Sequence, residues 1–299
     1  MPPTSTGRRV ALTVVIVVLA VVVATLSVMA LTSSRAPQSA STPQPIVSLT
    51  PQTTVTPTVT PKPTPTATAT PAVQDRAAER FLSFAGSSGW RATAGSCGGD
   101  APLLQRLDAQ GAWVDVVPSD VEMRQIASVD AYPDGAELVA SVDDECTAAS
   151  LRTFSAGAEW TSYDGSLERS RYITLDDPAL VHTRAGDLAA PCATPRGLRA
   201  SGDVVALICD DQAWLLTEST WAVQPTPAVR ALTIDSGDLV VGHVTAECAG
   251  LAVTRFSSGE SSDLGCAENV DATQPIAMAP TAGAIVVWAG DSIVEVSAP

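Results

Sequence analysis

The stretch VRALTIDSGDLVVGHV, Val229–Val244, decides the fold class. Two short runs rich in Val, Leu, Ile and Thr flank an Asp-Ser-Gly-Asp turn, and neither run is long enough for an ordinary helix. Strand, Gly/Asp turn, apolar strand is the pattern of a β-hairpin. It recurs at PDGAELVASV (from Pro133), SGDVVALIC (from Ser201) and TAGAIVVWAG (from Thr281), each preceded by another short segment such as RQIASVDA. From about Asp75 onward the chain therefore reads as a repeat of hairpins, an all-β domain.

Cysteines keep the same register. Cys97, Cys146 and Cys248 each follow a turn glycine (Gly86, Gly135, Gly237) by eleven residues, and Cys209 follows Gly202 by seven. An apolar segment comes after each, so the inferred unit is strand, turn, strand, Cys-bearing turn, strand, then a hairpin toward a fourth strand. The four cysteines are spaced 49, 63 and 39 residues apart, which averages close to the length of a propeller blade. A four-stranded unit exposes two faces and buries them only against neighbours. The roughly 225 residues of residues 76–299 suit about five blades of a β-propeller, and a two-sheet β-sandwich is the structural alternative.

Composition divides the chain. Residues 1–74 hold no Asp or Glu; all 32 acids and 13 of the 17 Lys+Arg lie beyond them. Nucleic-acid binding needs basic patches, so this balance argues against it, and against docking on anionic lipid. Residues 10–31 form a run without charge or proline, long enough at 1.5 Å per residue to cross a bilayer core of about 30 Å as a transmembrane helix. Arg8 and Arg9 precede it and place residues 1–9 in the cytoplasm and the bulk outside. Cleavage as a signal peptide near Ala30, giving a secreted protein, is the competing reading. Residues 32–75 are a Thr/Pro-rich tract with too little apolar surface to fold; this disordered linker would stand as an extended stalk.

In such a compartment the six cysteines, Cys97, Cys146, Cys192, Cys209, Cys248 and Cys266, read as disulfides rather than metal ligands. Fifteen pairings are open. Proximity favours Cys192–Cys209 and Cys248–Cys266, which leaves Cys97–Cys146 to tie equivalent turns of adjacent blades.

The stretch TFSAGAEW (Thr153–Trp160) resembles an Asp box, with Thr153 in the hydroxyl position, Gly157 at the turn, Trp160 as packing aromatic, and Ser155 where the Asp belongs. RLDAQGAW (Arg106–Trp113) keeps Asp108 and Trp113, with Gln110 in place of the glycine. The ectodomain thus looks like the sialidase/BNR-type propeller family, as a non-catalytic member. In that family the box is a folding device. The resemblance also implies what an active member would add: an Arg-Ile-Pro motif, an arginine triad gripping a carboxylate, a Tyr beside a Glu, and an acid/base Asp. No Arg-Ile-Pro occurs here. Of Tyr132, Tyr163 and Tyr172, only Tyr172 has suitable neighbours in sequence, Glu168, Arg169 and Arg171, and these also read as a solvated strand edge.

Other candidate chemistry is sparse. Asp143-Asp144-Glu145, Asp176-Asp177 and Asp210-Asp211 lack calcium-loop spacing and read as solvated turn carboxylates. His182 and His243 fall within apolar strands. No catalytic, cofactor or metal residues are assigned. The expected protein is a single-pass, membrane-anchored, extracytoplasmic binding or scaffolding propeller, with a protein or a cell-envelope glycan as partner. The alternatives are a divergent glycoside hydrolase of sialidase type and a solute-sensing subunit of an envelope complex.

Overall fold

The computed structural model describes residues 76–297, save 117 and 119. The apolar run at 10–31 and the Thr/Pro tract at 32–75 lie outside the described residues. Among those described, no helix is long and apolar enough to cross a membrane.

Six antiparallel sheets follow one another along the chain. Blade 1 comprises β1 (Arg80–Ala85), β2 (Ser88–Thr93), β3 (Leu103–Leu107) and β4 (Trp113–Asp115). Blade 2 holds β5 (Met123–Tyr132), β6 (Gly135–Val142), β7 (Thr147–Thr153) and a two-residue β8 (Thr161–Ser162). A single helical turn, α1 (Asp164–Leu167), leads to blade 3: β9 (Tyr172–Ile173), β10 (Leu180–Thr183) and β11 (Gly186–Ala189). Blade 4 is β12 (Arg196–Ser201), β13 (Val204–Cys209), β14 (Gln212–Thr217) and β15 (Thr220–Val223). Blade 5 is β16 (Val229–Asp235), β17 (Asp238–His243), β18 (Leu251–Ser257) and β19 (Glu260–Ala267), and blade 6 is β20 (Ile276–Pro280), β21 (Ala284–Ala289) and β22 (Ser292–Ser297). The opening hairpin is thus the β16–β17 pair at the centre of blade 5.

The fold is a six-bladed β-propeller, which corrects the expected count of about five and sets aside the sandwich. The extra blade hides in the 63-residue gap between Cys146 and Cys209. Blade 3 has strands of two to four residues, and it lacks the turn-plus-apolar-run pattern that marks blades 2, 4, 5 and 6.

The core is six wedges, one between each pair of neighbouring blades. Ile126, Leu138, Leu151 and Trp160 of blade 2 pack on Phe81, Trp90 and Leu104 of blade 1. Ile208 meets Leu232 and Val241 between blades 4 and 5, and Leu251 and Val253 meet Met278 and Val287 between blades 5 and 6. Alternation along the strands makes this possible, because residues i and i+2 feed one wedge and i+1 the other. On β6, Leu138 and Ala140 face blade 1 while Val139 faces blade 3. The wedge between blades 2 and 3 is the thinnest, with only Ala127, Val139 and Tyr172 as its buried apolar members.

Among the described residues blade 6 has three strands, and they meet blade 1 by packing. Leu82 meets Ala277, Ala279, Val286 and Trp288 across the seam. The Arg80 and Arg91 guanidiniums lie 4.3 and 4.8 Å from the Trp288 ring, and Arg80 Nη1 donates to the Gly290 oxygen at 2.7 Å. Desolvation on burial lowers the pKa of both arginines, but a guanidinium stays charged and attracts the ring face.

Three disulfides join Cys97 to Cys146, Cys192 to Cys209, and Cys248 to Cys266. The first links the β2–β3 loop of blade 1 to the β6–β7 turn of blade 2. The second holds the link between blades 3 and 4 against the end of β13.

Blade 3 also runs the other way. Thr174, just after β9, accepts a hydrogen bond from Arg76, which precedes β1. Arg171, just before β9, lies 3.9 Å from Asp203 in the β12–β13 turn. The start of β12, by contrast, sits beside the start of β1, because the Gly197 amide donates to Glu79 at 2.8 Å. β9 is therefore antiparallel to β1 and β12. The cause is the shortness of β8: the chain turns back through α1 on the near face instead of completing the blade.

Candidate functional site

The two Asp-box-like stretches are hairpin turns. In the β7–β8 turn Thr153 Oγ1 accepts the Gly157 amide at 2.9 Å, and Ser155 Oγ accepts the Glu159 amide at 2.9 Å, in the role a carboxylate would play. Trp160 is 4% exposed, donates to the Gly157 oxygen and meets Trp90 edge-on at 5.9 Å. Gly157 has φ +91°, and a Cβ there would come within 2.5 Å of Val116, so the site requires glycine on both counts. In the β3–β4 turn Asp108 accepts the amides of Gln110 and Ala112, with the positive φ at Gly111. Trp113 packs edge-on against Phe84. Neither turn belongs to the cavity described next.

That cavity, of about 260 Å³, opens at the channel end where the β5 and β12 strands finish. It reaches from Phe81 of blade 1 and the β5 end of blade 2, past the α1–β9 link beside the thinnest apolar wedge, to β12 of blade 4. Past an irregularity in the β5–β6 register at Ile126–Ser128, alternation carries Ser128, Asp130 and Tyr132 to one side, and all three line it. Asp130, Glu137 and Arg152 are successive cross-strand partners on β5, β6 and β7. From the opposite wall come Arg169 and Arg171 of the α1–β9 link, Arg184 of the β10–β11 turn, and Arg199 of β12.

Glu137 is saturated. Arg152 pairs with it, Ser150 Oγ donates to Oε1 at 3.1 Å, and the Tyr132 hydroxyl donates to Oε2 at 3.1 Å. Burial lowers the Arg152 pKa, but the hydrogen bond and charge of Glu137, together with the phenols of Tyr132 and Tyr163, outweigh it and hold the guanidinium above its ordinary value. Burial, then the Glu137 charge, pushes the Tyr132 phenol up to about 12. Asp130 differs. The residue is exposed to the solvent of the cavity, yet the walls of the cavity surround it with protein. This desolvation, then the charge of Glu137, pushes it up to about 6 against the pull of Arg199 and Arg171.

Arg199 forms the floor. It donates to the oxygens of Leu198 and, across the channel, Arg80, with its guanidinium 5.2 Å from the Phe81 ring. On its far side lies a cavity of only about 20 Å³ where the inner strands begin. There Asp211 bridges Arg196 and Arg230 at 2.9 and 2.8 Å. Asp211 is thus a structural clamp, which corrects its reading as a solvated turn carboxylate.

The cavity sets five guanidiniums against two carboxylates, one of them already neutralised, in a domain whose acids far outnumber its bases. Guanidinium forks match carboxylate, phosphate and sulfate oxygens. The lining suits an anion and disfavours a cation. Among the described residues no group of three or more His, Cys, Asp or Glu side chains gathers to hold a metal.

The tyrosine singled out in the sequence lies elsewhere. Tyr172 is buried in the wedge between blades 2 and 3 and packs on His182, with ring centroids 5.0 Å apart. Burial raises its pKa. Arg169 and Arg171 do line the cavity, but with Tyr132 and Glu137. A detectable signal was Glu137 itself, the one charged residue in the otherwise apolar run GAELVASV, since charges in central strands are buried only when paired.

No protein-family model and no curated protein matches this sequence. Solved structures do match. A puromycin hydrolase is 14% identical with a TM-score of 0.43, over 74% of this chain and 47% of that one. An engineered GH43 glycoside hydrolase is 11% identical with a TM-score of 0.35, over 73% and 48%. The Aleuria aurantia lectin, as an N224Q mutant in complex with α-methyl-L-fucoside, is 10% identical with a TM-score of 0.35, over 71% and 70%. The chain spans about half the length of the first of these.

Proposed function

We propose that this protein is a membrane-anchored, extracytoplasmic binding module whose propeller holds an anionic group of a cell-envelope glycan without cleaving it. The observation that carries the reading is the arginine-lined cavity at the channel end bounded by blades 1 to 4. A cavity of about 260 Å³ takes one sugar-sized unit rather than a protein surface. Its test is calorimetry of the full-length protein, in mild detergent, with acidic and neutral envelope saccharides. Acidic ones bind, neutral analogues do not, and R152M together with R171M abolishes the signal. Equal binding of neutral analogues overturns the reading.

The rival is a divergent glycoside hydrolase, favoured by Tyr132 and Glu137 meeting beside Asp130. Two features weigh against it. The phenol is held protonated, as a poor nucleophile, and Glu137 has three donors already. Sugar release from an acidic saccharide that D130N or E137Q abolishes decides for the hydrolase.

A further inference from the structure

The two carboxylates of the cavity are direct cross-strand partners, Asp130 on β5 and Glu137 on β6, yet they are handled differently. Glu137 has Arg152, Ser150 and Tyr132 as donors. Among the described residues the Asp130 carboxylate has no hydrogen bond and no ion pair; only longer-range charges act on it, from Glu137, Arg199 and Arg171. On its own strand it has Tyr132, and from β7 the already paired Arg152 faces it. From the opposite wall face Arg169 and Arg184, the latter drawn toward Asp203 at 3.8 Å. The site thus holds one carboxylate neutralised by its neighbours and one left open to solvent, beside Arg171 and Arg184, whose nearest acid is the fully exposed Asp203 at 3.9 and 3.8 Å.

We propose that the cavity takes up its anion together with one proton, which Asp130 carries, so that acidic ligands bind more tightly as the pH falls below neutrality. This rests on the anion-binding reading above. An ionised Asp130 repels an incoming carboxylate or sulfate; a protonated one donates a hydrogen bond to it. Because the group already sits near 6 when the site is empty, a bound anion raises it further, and linkage requires affinity to rise as protons are supplied.

The experiment is isothermal titration of the full-length protein between pH 5 and 7.5 with two probes, D-glucuronate and inorganic sulfate. Neither probe titrates in that range, so any pH dependence belongs to the protein. Affinity is expected to be roughly ten- to thirtyfold higher at pH 5 than at pH 7.5. D130N should keep the tighter affinity at both pH values. Titration near pH 6.5 in buffers of different ionisation enthalpy should show uptake of up to about three-quarters of a proton per anion; this measurement on the unaltered protein stands even where D130N fails to fold. Equal affinity across the range, no proton uptake, or pH dependence retained in D130N overturns the proposal while leaving the anion site intact. No binding of either probe at any pH, by folded protein, overturns the anion site and the proposal with it.

Discussion

Arg199 donates to the main-chain oxygen of Arg80 at 2.9 Å, from the inner strand of blade 4 to that of blade 1, directly across the channel in a ring of six. It lines the cavities on both sides and so separates them. A propeller whose blades 3 and 6 show three strands each among the described residues gains from such a cross-tie. The same tie gives the anion cavity a floor.

Replacing Arg199 with Met keeps the length and removes the charge-assisted hydrogen bonds. R199M is expected to cost about 1.5–3 kcal/mol, read from urea denaturation. R199K, with the charge but not the fork, should fall between. An unchanged midpoint for R199M would show that the strap adds nothing.

Glu137 is the hub of its cluster. E137Q leaves Arg152 without its counter-charge and is expected to destabilise by about 2–3 kcal/mol, given the partial exposure of the arginine. The double variant E137Q/R152Q should lose less than the sum of the two single changes. Ultraviolet titration gives an independent reading, since the Tyr132 phenol, now at about 12, should move back toward 10 in E137Q.

Stability should depend on pH through Asp130. Its folded-state value of about 6 lies above the value of about 3.9 expected in an unfolded chain. Between these values the native state binds more protons than the unfolded one, so this contribution to stability is lost as the pH rises from about 4 to 6. D130N is therefore expected to have a higher Tm than the unaltered protein at pH 7.5, with the difference vanishing near pH 4. A difference that grows toward low pH would refute the assignment.

The seam between blades 6 and 1 depends on Trp288, which is 3% exposed and carries two guanidiniums on its ring. W288A is expected to cost about 3–5 kcal/mol. Hydrogen exchange should rise first in β1 and β20, the strands that meet there. Opening confined to blade 3 would place the weak point elsewhere.

Much of this architecture was legible along the chain. Gly/Asp turns followed by Val- and Leu-rich runs marked the inner hairpins of blades 2, 4, 5 and 6, because a half-buried strand needs β-branched residues and a tight turn needs a residue tolerant of positive φ. Gly202, Gly237 and Gly283 each have it. Trp160 and Gly157 announced a packed hairpin because bonds within the turn, from Thr153 and Ser155 to the amides of Gly157 and Glu159, shape it locally. Blade 3 was not legible, since Tyr172–Ile173 is too short to show any period; neighbours hold it in place, not its own pattern.

The sequence by itself determined the acid-rich character of the domain and the strands and turns of its regular hairpins, which follow from interactions between residues close along the chain. Only the tertiary structure decided the blade count, the reversal of β9 and the cavity. Asp130, Arg171 and Arg199 converge from three blades, and only closure of the ring brings them together.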